Sequence, residues 1–199
     1  MSSRIQTSDA SSSIIQNAPE LETRRSFLGK SGLLLSGAAI ALLAGRDALA
    51  KGSKSGASDV SVLNSALGAE LEAIAAYQVG AESGLLQKPM LNLALTFQGH
   101  HKEHADLLAK TILKLGGQPV SAKNKYNFPV ETLKTQTDVL RFAAMLEKGA
   151  VSAYLGAVPV FDNRELAKAA ASILGDEAMH WAILRNALGE DPVPSAFMS

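Results

Sequence analysis

Cysteine is missing from all 199 residues. Its absence excludes disulfides, thiolate metal sites and a cysteine nucleophile. Any metal bound here must be held by carboxylates and imidazoles. An excess of one charge is missing too, with 19 acidic against 19 basic side chains. That balance argues against nucleic acid or an acidic membrane as the main partner. The apolar run from Leu33 to Ala44 falls short of the roughly 20 residues that span a bilayer comfortably. What the chain does have is Ala, Leu and Glu in quantity and four stretches of helical period. These predict an all-α domain.

Residues 1–22 are polar, Ser-rich and without period, and read as disordered. Then comes TRRSFLGK, Thr23 to Lys30, in which Phe27 and Leu28 follow the pair Arg24–Arg25. The short apolar run and the small-residue triplet Ala48–Ala50 complete the order. Residues 1–50 thus resemble a twin-arginine signal peptide, with cleavage expected after Ala50. The resemblance implies the twin-arginine export machinery as a partner, a cargo already folded and cofactor-loaded, and a periplasmic location. An uncleaved leader would instead leave the protein anchored to the membrane. The remainder carries 14 basic and 15 acidic residues.

Residues 51–58 read as a flexible linker, 59–189 as a four-helix bundle and 190–199 as a tail. The first helix is expected over Asp59–Glu82, capped by Ser58 or Asp59. Its apolar seam reads Val60, Leu63, Leu67, Glu70, Ile74, Tyr77, Ala81, so Glu70 points inward and Glu72 falls on another, solvated face. The second helix starts near Pro89 and ends at Gly116–Gly117. Its seam holds Leu91, Ala94, Phe97, His101, His104, Leu108 and Leu115, with His100 and Glu103 beside the line. Residues 117–136 lack period. A segment of that length can travel the length of the bundle and start the third helix at the far end, which predicts an up-down-down-up order. The third seam, from about Thr137, is Leu140, Ala144, Glu147, Val151, Tyr154, Val158, Phe161, ended or kinked by Pro159. Asp162 and Glu165 form a plausible cap for the fourth helix, whose seam is Leu166, Ala170, Ile173, Glu177, His180, Leu184, Leu188.

The halves repeat. Glu70 precedes Tyr77 by seven residues, and Glu147 precedes Tyr154 by seven. Gly99 to His104 aligns with Gly175 to His180, matching His101 to Glu177 and His104 to His180. At ~1.5 Å rise per residue the four helices deliver Glu70, His101, His104, Glu147, Glu177 and His180 to one layer. Burying such groups without partners costs several kcal/mol each. Coordination to iron, manganese or zinc, one or two ions per chain, removes that cost. A buried hydrogen-bonded network without metal is the plainer alternative. Tyr77 and Tyr154 are either hydroxyls that orient ligand carboxylates or ordinary core tyrosines.

On these residues the chain resembles the ferritin-like superfamily, close in pattern to its rubrerythrin-type branch and to small exported ferritin-like proteins. That branch carries Glu-x6-Tyr on the first helix of each pair and Glu-x-x-His on the second. Glu147, Tyr154, Glu177 and His180 match in full; Glu70, Tyr77 and His104 match in the other half. The resemblance covers roughly residues 60–188 and implies a ferritin-like four-helix bundle with a long crossover between helices two and three. It departs at His101, where the family has an acid that bridges two metals. A neutral imidazole offers one lone pair and cannot bridge as a carboxylate does. A single carboxylate bridge, unequal metals and one metal alone all stay open.

Three functions fit. The first is an exported di-metal oxidoreductase acting on peroxide, oxygen or ferrous iron. The second is a metal-binding stress-protection protein without turnover, and the third a metal-free helical interaction module. Catalytic residues are not identifiable, and a homodimer is compatible with the sequence.

Overall fold

The computed structural model describes residues 55–198. The expected leader, with Arg24, Arg25, Phe27, Leu28 and the cleavage point after Ala50, lies outside them. Among the described residues four helices make up the fold: α1 (Ser55–Glu82), α2 (Lys88–Lys114), α3 (Gln136–Ala157) and α4 (Arg164–Ala187). Short 3-10 turns stand at Val130–Thr132 and Val158–Val160. Among the described residues there is no strand, and no helix is long and apolar enough to cross a membrane. Helix α1 begins inside the stretch expected as linker.

Contacts at the two ends fix the helix directions. The Gln87 N–H, ahead of α2, donates to Gln136 Oε1 at the start of α3 (2.8 Å). At the opposite end, Asp59 near the start of α1 meets the α3–α4 corner. Its Oδ1 accepts from the Asp162 N–H (2.9 Å) and its Oδ2 from the Asn163 N–H (3.1 Å). Helices α2 and α3 therefore run parallel and the order is up-down-down-up. The crossover is tied to α1 where Asn64 bonds Gln118 O and the Val120 N–H. It is tied to α3 where the stacked pair Tyr126–Phe128 meets Phe142.

The helix ends follow local chemistry. Thr135 caps α3 in a reciprocal capping box with Asp138. Asn163, not Asp162, caps α4, its Oδ1 accepting from the Glu165 N–H. Asp59 lies inside α1 and bonds this corner rather than capping its own helix. Pro159 falls in the 3-10 turn directly after α3, as its missing N–H requires. Gly116 and Gly189 take positive φ just past α2 and α4. There the Gly117 and Glu190 N–H groups reach back to Ile112 O and Arg185 O, a Schellman closure in both halves.

The core falls into two apolar clusters. One, around Leu63, Leu67, Leu108, Ile112, Tyr154 and Ile173, lies toward the start of α1. The other, around Tyr77, Phe97, Leu140, Trp181 and Leu184, lies toward its end. Ile112 is fully buried where the seam was expected to continue to Leu115, which is 40% exposed at the end of α2. Glu70, His101, Glu147, Glu177 and His180 are also buried, between the two apolar clusters.

Candidate metal centre

Each helix contributes to this polar layer from the seam that its period defines. Glu70 comes from α1, His101 and His104 from α2, Glu147 from α3, and Glu177 and His180 from α4. The structure brings all six together as two overlapping groups. Glu70, His101, His104 and Glu177 form one; His101, Glu147, Glu177 and His180 form the other. Within each group one ligand atom per residue lies within 4.8 Å of every other, so each group can hold a metal ion.

Glu177 is shared and is 0% exposed. Its Oε1 lies 3.1 Å from His104 Nδ1 and its Oε2 3.5 Å from His180 Nδ1. Neither oxygen has a hydrogen-bond partner, nor do His104 Nδ1, His180 Nδ1 and Glu147 Oε2. These atoms approach one another but are not aligned as donor and acceptor. Buried polar atoms normally find partners. Lone pairs that converge without pairing are the arrangement a shared cation satisfies, so the donor set fits a carboxylate- and imidazole-bound ion.

The other shared residue is His101. Its Nδ1 lies 2.8 Å from Glu70 Oε2 and 3.5 Å from Glu177 Oε1, and its Nε2 lies 3.3 Å from Glu147 Oε1. Burial works against charge on His101. Hydrogen bonds to Glu147 and Glu70, with the charges of Glu147 and Glu177, outweigh it and push the imidazole up to about 11. At His104 the nearby carboxylates of Glu177 and Glu70, and at His180 those of Glu147 and Glu177, likewise outweigh burial. Each imidazole is raised to about 9. Burial likewise opposes charge on Glu147, but the hydrogen bond from His101 and the close approach of His180 hold its carboxyl well below the usual carboxylate range. Without metal, the three imidazoles thus act as internal cations for the three acids.

The tyrosines cross between halves. Tyr77 on α1 donates its hydroxyl proton to Glu147 Oε1 on α3. Tyr154 on α3 donates to Glu70 Oε1 on α1 (2.6 Å). Burial first, then the neighbouring carboxylate, raises both phenols well above their ordinary value, so both remain donors. A cavity of about 60 Å³ between α1 and α3 reaches Glu70, His101 and Glu147. Glu72 lines it and is half-buried, unlike the solvated position expected.

Two residues set beside the seam also face this layer. His100 Nδ1 lies 3.0 Å from Asp176 Oδ2 and 2.9 Å from His180 Nε2. Helical period alone places both His100 and Asp176 off the line. The repeat could have found them, since the alignment that matches His101 to Glu177 also matches His100 to Asp176.

Residues 58–190 match the sequence profile described as Ferritin-like domain. The chain belongs to this family. Its fold is shared with a solved structure, a conserved hypothetical protein from Mycobacterium tuberculosis, at a TM-score of 0.63 and 22% identity. That match covers 72% of this chain and 99% of the other, and at such identity it speaks for the fold alone. No curated protein matches the sequence significantly. His101 fills the space between Glu70 and Glu147.

Proposed function

We propose that this is an exported ferritin-like metalloprotein of rubrerythrin-type pattern, with an iron- or manganese-type centre of one or two ions acting as an oxidoreductase. Glu177 carries this reading. A carboxylate fully removed from solvent, with both oxygens unpaired, His104 and His101 facing Oε1 and His180 facing Oε2, would be able to bridge two ions. Glu70 and His104 would complete one ligand set, and Glu147 and His180 the other. Bound there, iron or manganese supplies redox chemistry toward peroxide, oxygen or ferrous iron. The chain's own part is to hold the carboxylates with Tyr77 and Tyr154 and to limit access to the cavity between α1 and α3. That volume suits a few water-sized molecules, which favours a small oxidant over a bulky substrate.

The test is the ratio of metal to protein, with metal identity, in material recovered from the export compartment. Wild type should carry one or two ions and oxidise added ferrous iron with peroxide or oxygen. Glu177→Ala should carry at most one, and Glu103→Ala, at an exposed position, should match wild type. A metal-free wild type would leave the helical interaction module as the better reading. Metal without turnover would leave stress protection. Export has its own test: changing Arg24 and Arg25 to Lys should retain the protein in the cytoplasm with its leader intact.

A further inference from the structure

We propose that His100 and Asp176, with the outward nitrogens of His104 and His180, form an outer site where a divalent transition-metal ion docks before passing to the buried centre. The hand-over rests on the buried layer being a metal centre; the outer site does not.

One ligand atom each from His100, Asp176 and His180 lies within 4.8 Å of the others. Asp176 Oδ2 is the hub, 3.0 Å from His100 Nδ1, 3.3 Å from His180 Nε2 and 3.4 Å from His104 Nε2. Imidazoles with a single carboxylate favour zinc, cobalt, iron or manganese over the all-oxygen cations calcium and magnesium. Exposure falls along the path between α2 and α4. The side chain of His100 is 42% exposed and that of Asp176 21%, against 2% for His180 and 0% for Glu177. An ion reaching the layer from this side meets His100 and Asp176 first.

The connection inward lies in the two deeper histidines. His104 and His180 both turn Nδ1 toward Glu177 and Nε2 toward Asp176. A neutral imidazole has one lone pair, so each ring serves one layer at a time. An ion held outside by Nε2 and an ion held inside by Nδ1 compete for the same two rings. Filling of the inner layer thereby draws these ligands away from the outer one. Phe97 stacks on His180, ring centres 4.0 Å apart and 23° between planes, and limits tilting of the imidazole between the two layers. The repeat accounts for the position: His100 and Asp176 are equivalent residues of the two halves and meet where α2 faces α4.

Cobalt(II), whose visible absorption reports nitrogen and oxygen ligands, is the probe. It would be mixed rapidly with the full chain stripped of metal by chelation. Wild type should show a fast, weaker class followed by slower filling of a tight class. His100→Gln and Asp176→Asn, both at partly exposed positions, should lose the fast class. They should fill the tight class at least tenfold more slowly, with its final stoichiometry kept. Glu177→Gln should keep the fast class and lose the tight one. Wild-type filling rates in both outer variants would overturn the hand-over. Absence of a fast class from both wild type and Glu177→Gln would overturn the outer site. A fast class that Asp176→Asn abolishes, in a wild type with no tight class, would support the outer site and refute the buried centre.

Discussion

Tyr77 and Glu147 sit 70 positions apart, on different helices of different halves, and share one hydrogen bond inside the core. Tyr154 and Glu70 repeat it in mirror order. Each acid therefore also takes a hydrogen bond from the half to which it does not belong. Tyr77→Phe removes one of the two donors to a buried carboxylate oxygen, the other being His101, and such a loss costs about 1–3 kcal/mol. Chemical denaturation should show that loss in metal-free protein, and Tyr154→Phe should show a similar one. Metal affinity should fall by about 10–100-fold in each, as for other residues that orient ligands. Unchanged stability and affinity in both variants would reduce the tyrosines to ordinary core residues.

The raised histidines give the metal-free protein a defined pH response. His104 and His180 stand at about 9 and His101 at about 11 in the fold, against about 6.5 when unfolded. Because the folded values are higher, their stabilisation is complete below about pH 6.5 and is lost as pH rises through 9 and then 11. Melting temperature of chelator-treated protein should fall between pH 7 and 9.5. Metal binding should go the other way. A ligating imidazole must give up its proton, so affinity should rise with pH up to about 9 and each binding event should release protons into weak buffer. A melting temperature that stays level from pH 6.5 to 9.5 would contradict the ion pairs.

His101→Glu places a carboxylate where the resemblance to rubrerythrin-type proteins leads one to expect it, and separates two roles of one residue. The new carboxylate would stand among Glu70, Glu147 and Glu177, where His101 now supplies positive charge. The metal-free variant should be less stable by several kcal/mol, since like charges then lack a counter-charge. With iron or manganese present it should recover, bind toward two ions per chain and oxidise ferrous iron faster than wild type. Calorimetry with and without chelator, alongside metal analysis, reads both effects. Unchanged stoichiometry and activity would remove His101 from the ligand set.

Asp59 offers a test far from the metal layer. It is 3% exposed and holds the backbone of Asp162 and Asn163 with both oxygens. Asp59→Ala should cost about 1–3 kcal/mol by freeing two donors, with metal stoichiometry unchanged. A loss of metal in a folded variant would show that this corner governs the centre.

The six groups of the buried layer were legible because seams of period 3.6 expose a polar residue among apolar ones. The parallel setting of α2 and α3 was legible from the length of the segment that joins them. His100 and Asp176 were not, because each stands about 100° round its helix from the seam. The repeat aligns them, but it is the facing of α2 on α4 that brings them into contact. The tyrosine partners were hidden for a related reason. Seven residues along one helix is about 10 Å, too far for a hydrogen bond, so the acceptor had to come from another helix that the sequence does not name. Asp59 looked like a cap because it begins the apolar pattern. Its use at the α3–α4 corner depends on a contact more than 100 residues away.

The division of the ligand layer between two hairpins bears on the order of folding. Helices α1 with α2, and α3 with α4, are joined by short turns and pack extensively, while the halves meet chiefly through α1 and α3. Local hairpins form faster than pairings distant in sequence. Each hairpin carries only one half of the acids and imidazoles, and neither tyrosine finds its acid until the halves dock. Docking is then the slow event, and hydrogen exchange at the α1–α3 seam should report an opening that metal suppresses.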